Sequence, residues 1–269
     1  MEKAVIQGKV MQEPTFPGFE LFPFERRERI LETLKNHGKV VAAELAESMQ
    51  VSIDTIRRDL KQLAVEGLVR RVHGGALTAA PFPRPLLERS AQVSSVKREL
   101  SQRAAGMIQP KDLVLFDGGS TNQELARWIP PDIPFTALTP SLPVASALCT
   151  LPLAEVIMLG GRVLNRELVT TGARAVRDLT DFRADLCYLG VCAIHEEVGV
   201  STFSVEELEL KQALIRCSGT VVAVITAEKF GRMAPYVVGP SGILNHVFVD
   251  SEVGAEDREQ LRRHGISID

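Results

Sequence analysis

The stretch Val-Ser-Ile-Asp-Thr-Ile-Arg-Arg-Asp-Leu-Lys-Gln-Leu-Ala-Val-Glu-Gly-Leu-Val-Arg-Arg-Val-His-Gly-Gly-Ala, residues 51–76, decides the reading of this chain. Ser52 stands where a helix N-cap is expected, with Thr55 three residues on. Ile56, Leu60 and Leu63 recur at the spacing of one helical face, so Arg57, Arg58 and Lys61 fall on or beside the opposite face. Gly67 ends the helix. Leu68 to Val72 reads as a short extended run, and Gly74-Gly75 permits a tight reversal.

Upstream, Ile30, Leu31 and Leu34 lie at helical spacing in a segment that starts at Glu25 and stops at His37-Gly38. Val41 to Met49 gives a second short helix, with Val41, Leu45 and Met49 on one face. Two short helices joined by a tight turn, the second with a polar outer face, are what a helix-turn-helix requires. Hydroxyls at Ser52 and Thr55 and cations at Arg57, Arg58 and Lys61 suit base edges and phosphates. Arg70, Arg71 and His73 then sit on a β-wing beside that helix. Two arginines alone are what any solvated helix face shows. The combination of turn, capped helix, Gly67 and basic wing is what points to double-stranded DNA.

Bulk charge adds little. The chain has 269 residues and a net charge of −3. Glu25 to Leu77 carries ten Lys and Arg against eight Asp and Glu, about +2, which leaves the remainder about −5. Hydrophobic content of 45% and charged content of 24% are ordinary for a soluble globular chain of two domains. No apolar run of membrane-spanning length occurs, and the first residues lack a secretory signal's pattern. Cys149, Cys187, Cys192 and Cys217 show no metal-binding spacing, so buried, reduced thiols in a cytoplasmic protein are expected, with no metal and no cofactor.

Residues 1–24, with Pro14, Pro17, Gly18 and Pro23, read as a mobile leader, and residues 25–78 as the DNA-binding domain. Residues 79–90 read as a linker, with Pro81, Pro83 and Pro85 closely spaced. A charged helical stretch covers 86–109, and the second domain runs over 91–269. There, short apolar runs at 113–116, 136–138, 154–159, 186–191, 220–226 and 247–249 alternate with helical segments. That alternation implies a parallel sheet covered on both faces. The expected fold is α/β: a winged helix-turn-helix joined to a Rossmann-like, mostly parallel α/β domain.

Residues 51–60 and 66–76 closely resemble the signature of DeoR-family bacterial transcriptional regulators, and the resemblance extends to about residue 250. It implies a winged helix that binds operator DNA, with Ser52, Thr55, Arg57, Arg58 and Lys61 on the recognition helix and Arg70, Arg71 and His73 on the wing. It also implies a sensor domain similar to sugar-phosphate isomerases that binds a phosphorylated sugar or related metabolite.

In open parallel sheets a ligand sits beyond the carboxyl ends of the strands. Asp117-Gly118-Gly119-Ser120-Thr121 lies there, with glycines that let backbone approach an anion and groups that donate to it. Gly160-Gly161 is a second glycine turn after a strand, and Ser141 follows the 136–138 run. Lys229 is either a surface lysine or a phosphate contact. The resemblance favours the latter through its Lys-Phe-Gly segment. Glu207 and Lys211 are either a plain surface i,i+4 pair or pocket residues. Three places depart from the family's pattern: Thr139-Pro140-Ser141 lacks an Asn before the serine, Cys192-Ala193 replaces a polar residue and glycine, and Thr226-Ala227-Glu228 lacks an Asp before Lys229. Glu228 would repel a phosphate unless it points away.

The resulting expectation is a transcriptional regulator of a carbohydrate operon, a repressor by the resemblance, that acts as a homodimer or homotetramer and responds to a phosphorylated sugar. The alternative is an isomerase-like enzyme with an appended DNA module, using Asp117, Glu207 or Lys229. No compact set of base, acid and oxyanion donor is legible for it, so no catalytic residue is assigned.

Overall fold

The computed structural model describes residues 21–269, so the leader expected over 1–24 lies largely outside the described residues. The first helix starts two residues earlier than expected, with Glu25 Oε2 accepting from the Phe22 amide at 2.8 Å. The N-terminal domain comprises α1 (Pro23–His37), β1 (Lys39–Val41), α2 (Ala42–Ser48), α3 (Ile53–Val65), β2 (Val69–Val72) and β3 (Gly75–Ala79). Ile30, Leu34, Leu45, Met49, Ile56, Leu60 and Leu63 share one core.

Two details differ from the sequence expectation. Val41 does not join the buried face of the second helix; it is exposed and belongs to β1, a three-residue strand too short to show a period. β1 pairs antiparallel with β3, so the wing is a sheet with β3 between β1 and β2. Gly75 makes that possible, since a Cβ there would lie 1.9 Å from the Val40 carbonyl oxygen.

The second domain begins with α4 (Leu86–Ala91) and α5 (Ser95–Ala105), followed by β4 (Leu113–Phe116), α6 (Ser120–Ala126), β5 (Phe135–Thr139), α7 (Leu142–Leu148) and β6 (Ala154–Met158). It continues through β7 (Arg162–Leu164), β8 (Val169–Thr171), α8 (Ala173–Asp178), β9 (Ala184–Tyr188), β10 (Ala193–His195), β11 (Gly199–Thr202) and α9 (Val205–Arg216). The remainder is β12 (Ser218–Ile225), β13 (Arg232–Met233), β14 (Tyr236–Gly239), β15 (His246–Val249), α10 (Ala255–Arg263) and β16 (Ser267–Ile268). The charged stretch over 86–109 is thus two helices, the second opened by Ser94, whose Oγ accepts from the Lys97 amide.

Seven strands form one parallel sheet in the order β16-β15-β12-β9-β4-β5-β6. Successive side chains feed opposite cores, as the period of two demands. Val114, Phe116, Val222 and Val224 face α5, α6 and α7, while Leu115, Val221, Ala223 and Ile225 face α8, α9 and α10. Both faces are covered, which is why these strands read as continuous apolar runs rather than alternating ones. The chain steps outward from β4 to β5 and β6, then returns to the other side of β4 as β9. The crevice between β4 and β9 is therefore the topological switch point, where open sheets hold ligands.

Residues 80–85 do not hang free between the domains. β3 pairs in parallel with β13 of the second domain, the Ala80 amide donates to the Met233 carbonyl at 3.0 Å, and Leu86 is fully buried. Among the described residues no helix is long and apolar enough to cross a membrane. Cys187 and Cys217 are buried as expected, with burial pushing both thiols up, whereas Cys149 is exposed at the end of α7.

Candidate functional site: a DNA-reading face and a charged cavity

α3 is positioned from inside. Asp59 lies on its buried side and takes the Arg26 guanidinium at 2.8 Å, while the same Arg26 donates to the Leu21 carbonyl. This ion pair ties α1 to α3. The spacing Ile56, Asp59, Leu60, Leu63 could have revealed it, since an acid at i+3 on an apolar face needs an internal partner. With that side committed, Arg57, Arg58 and Lys61 stand exposed on the other.

The Ser52 hydroxyl accepts from the Thr55 amide at 3.1 Å and lies 2.9 Å from the Thr55 hydroxyl. These two side chains fix where the helix starts, so their hydroxyls are already engaged in capping. Arg57 holds an exposed contact with Asp54 at 3.0 Å, the kind of i,i+3 pair that contributes little and exchanges readily for a phosphate. Among the described residues, Arg58, Lys61, Arg70 and Arg71 have no acidic partner within 4.0 Å. His73 and Gly74 form the tip of the wing, with Gly74 at φ +83°, and Arg71 and His73 are exposed there.

The second site is a cavity of about 470 Å³ at the switch point. Its floor is the loop after β4, Asp117 to Asn122, and the loop after β9, Leu189 to Cys192. Asp117 is buried and occupied: Oδ2 receives the Lys211 ammonium at 2.5 Å and the Gly190 amide at 2.9 Å, and Oδ1 receives the Gly118 amide at 2.7 Å. Lys211 also donates to the Gly190 carbonyl at 2.7 Å. The pair clips the ends of β4 and β9 together. Burial alone would pull the Lys211 ammonium down; Asp117, with Cys192 and Glu207, overcomes that and holds it above its usual range. Gly190 is glycine because a Cβ would lie 2.6 Å from the Gly118 carbonyl oxygen.

Lys211 is therefore no surface partner of Glu207. Glu207 accepts instead from the Thr202 hydroxyl at 2.9 Å, which in turn lies 3.7 Å from Cys192 Sγ. Lys229 lines the cavity from the turn after β12, and Glu228 beside it, which also lines the cavity, contacts it at 3.7 Å with its side chain 61% exposed. Lys97, which sequence reasoning passed over, reaches in from α5 and donates to the Ser120 hydroxyl at 3.3 Å. Burial and the neighbouring Lys229 lower its pKa against the opposing pull of Glu228 and Glu124. The residues Ala80 to Arg84, Arg89 and Arg232 complete the wall.

Eight of the eleven candidate effector residues thus meet in one cavity: Asp117, Gly118, Gly119, Ser120, Thr121, Glu207, Lys211 and Lys229. The other three do not line it. Ser141 is fully buried against the β7–β8 hairpin, opposite Val169. Gly160 lies against Arg174, and Gly161, at φ +145°, lies against the Thr171 backbone, where any Cβ would be 2.5 Å from a carbonyl oxygen. Those glycines close the hairpin, which instead brings Glu167 and Val169 to the cavity. Among the described residues no group of three His, Cys, Asp or Glu side chains could hold a metal ion.

Comparison with known proteins agrees with this architecture. Residues 26–81 match the model of the DeoR-like helix-turn-helix domain and residues 92–251 that of the DeoR C-terminal sensor domain. The chain is 32% identical over 248 residues, 91% of its length and 92% of the relative's, to an Escherichia coli O157:H7 protein named for transcriptional repression of the aga operon. It is 29% identical to the glycerol-3-phosphate regulon repressor of Escherichia coli K12, over 91% of this chain and 98% of that one. Ribose 5-phosphate isomerase A from Neisseria gonorrhoeae aligns with a TM-score of 0.37 and 11% identity over 50% of this chain and 52% of the isomerase. The chain belongs to the DeoR family of DNA-binding transcriptional regulators, with the family's helix-turn-helix followed by the family's sensor domain.

Proposed function

We propose that this regulator represses a carbohydrate-catabolic operon and that a phosphorylated sugar in the switch-point cavity controls its hold on operator DNA. The observation that carries the effector reading is the convergence of Lys97 and Lys229 with the Ser120 hydroxyl in one half-buried site. A dianionic phosphate placed between the two cations would offset the burial and the Lys229 charge that lower the Lys97 pKa. Glu207 and Glu167 on the same cavity wall offer acceptors for sugar hydroxyls. The relatives named for aga and glycerol-3-phosphate regulation fit a ligand of this class.

On the DNA side, Arg57, Arg58 and Lys61 read or grip the major groove, and Arg70, Arg71 and His73 grip flanking phosphates from the wing. Ser52 and Thr55 act by fixing the helix start. One recognition helix reads only a half-site, so the working form is a homodimer or homotetramer.

A thermal-shift screen of hexose, pentose and amino-sugar phosphates tests the effector assignment. A hit that raises Tm in the native protein and not in Lys97→Met/Lys229→Met supports it. Equal Tm shifts in both proteins overturn it.

A further inference from the structure

The cavity and the wing share a seam. From the wing, β3 leads directly into Ala80 to Arg84, which form part of the cavity wall. From the sensor, the chain leaves Thr226 and Lys229 in the cavity, touches the small sheet where Phe230 bridges Ile194, and enters β13. These two chain segments meet as parallel strands: Thr78 opposite Arg232 and Ala79 opposite Met233, continued by the Ala80 amide donating to Met233. Lys39, on the neighbouring strand β1, adds an ion pair to Glu197 at 2.6 Å. Phe82 is held edge-on to Phe203, ring centroids 5.2 Å apart, and beneath the Arg166 guanidinium.

Resting on the reading that the cavity takes a phosphorylated ligand, we propose that the β3–β13 seam is the element that transmits occupancy to the DNA-binding domain. β3 is continuous with the wing on one side and with the cavity wall on the other, while β13 follows the cavity's Lys229 and meets the wing through its pairing with β3. Lys229 is three residues from Arg232, and Arg232 itself lines the cavity. An anion that draws Lys229 toward Lys97 therefore pulls on β13, and β13 pulls on the wing strand that carries the next turn's Gly75 and, through β2, Arg70 and Arg71. The seam is small beside the seven-stranded sheet: among the described residues it has two paired residues, one further amide bond, an exposed ion pair and the small apolar cluster of Ala80, Ala193, Ala234 and Phe203. Such a junction can be remade by a ligand's differential binding, whereas the seven-stranded sheet cannot. Linkage then requires that whatever the ligand does to operator affinity, operator DNA does to ligand affinity.

Hydrogen exchange on the full-length protein tests the seam, with inorganic phosphate and glucose 6-phosphate as probes. The expected result is slowed exchange at residues 118–121, reporting the occupied cavity, together with at least a threefold change at Ala80 and Met233 and none in the core of α3. Protection at 118–121 with unchanged Ala80 and Met233 overturns the seam and leaves the cavity assignment standing. If neither probe protects 118–121, the cavity reading fails for these ligands and the seam is decided by Glu197→Lys. That substitution opposes Lys39, and is expected to speed exchange at Ala80 and Met233 and to shift operator Kd at least threefold. The reciprocal Lys39→Glu/Glu197→Lys protein should restore both. Unchanged exchange and operator Kd in Glu197→Lys overturn the proposal.

Discussion

The exposed face of the helix-turn-helix and the cavity of the sensor domain both carry cations, and they hold them in opposite ways. Arg58, Lys61 and Arg71 stand exposed on a helix and hairpin whose inner sides are packed. Lys211 is buried and spent on Asp117, while Lys97 is half-buried, donates to the Ser120 hydroxyl and, among the described residues, has no acidic partner within 4.0 Å. An exposed cation costs nothing to keep and waits for phosphate; a buried one must be neutralised at once or become a binding site. The first kind announces itself in sequence, the second only in three dimensions.

Breaking the buried pair should have the largest effect. Lys211→Met strands the Asp117 carboxylate and is expected to lower unfolding free energy by about 3–5 kcal/mol in a urea titration, with Lys211→Met/Asp117→Asn regaining much of it. If the single variant loses less than the double, the clip between β4 and β9 is misassigned. Arg26→Met applies the same test to the DNA side, where Asp59 would lose its partner and α1 its tie to α3; its cost should be smaller, about 1–3 kcal/mol, because Arg26 and Asp59 keep some solvent contact.

Lys97→Met should leave stability close to native and weaken phosphate-ester binding by about 1.5–3 kcal/mol, roughly tenfold to a hundredfold in Kd by calorimetry. Lost stability with unchanged affinity would move Lys97 from the binding half of the comparison to the structural half. The smallest effect belongs to His195, buried on β10, whose pKa burial lowers against the pull of Glu197 and Glu196, with Lys39 acting in the same direction as burial. Its folded pKa lies below the unfolded one, so the unfolded chain binds the extra proton first, and stability falls as pH drops below about 6.5. His195→Gln should flatten that slope, by less than about 1.4 kcal/mol per pH unit, in melts at pH 5 to 7.

The same contrast explains what the sequence disclosed. The capped helix at Ser52, the buried stripe Ile56, Leu60, Leu63 and the turn at Gly74 are local features, set by neighbours three or four residues away. The parallel sheet was legible because strands covered on both faces become unbroken apolar runs. That Asp117, Gly118 and Ser120 would line a cavity was reachable because open parallel sheets leave a crevice at their strand ends, and Lys229 was reached through the resemblance. Lys97 was not, since it shares no local pattern with the residues it meets, and Ser120 lies 23 positions away. Ser141, Gly160 and Gly161 misled for the complementary reason: a glycine or serine after a strand serves a hairpin as readily as a ligand. Residues 79–90 read as a linker because proline spacing reports local stiffness and is silent about β13, some 150 positions on.

The central claim is that the exposed face of α3 grips operator DNA. It is tested most directly by fluorescence anisotropy of a labelled operator with native protein and Arg57→Ala/Arg58→Ala across a salt series. Each arginine that reads a base should contribute about 1–3 kcal/mol, so the double variant should bind at least tenfold more weakly, and lost phosphate contacts should flatten its salt dependence. Native affinity with an unchanged salt slope in the double variant would contradict the account.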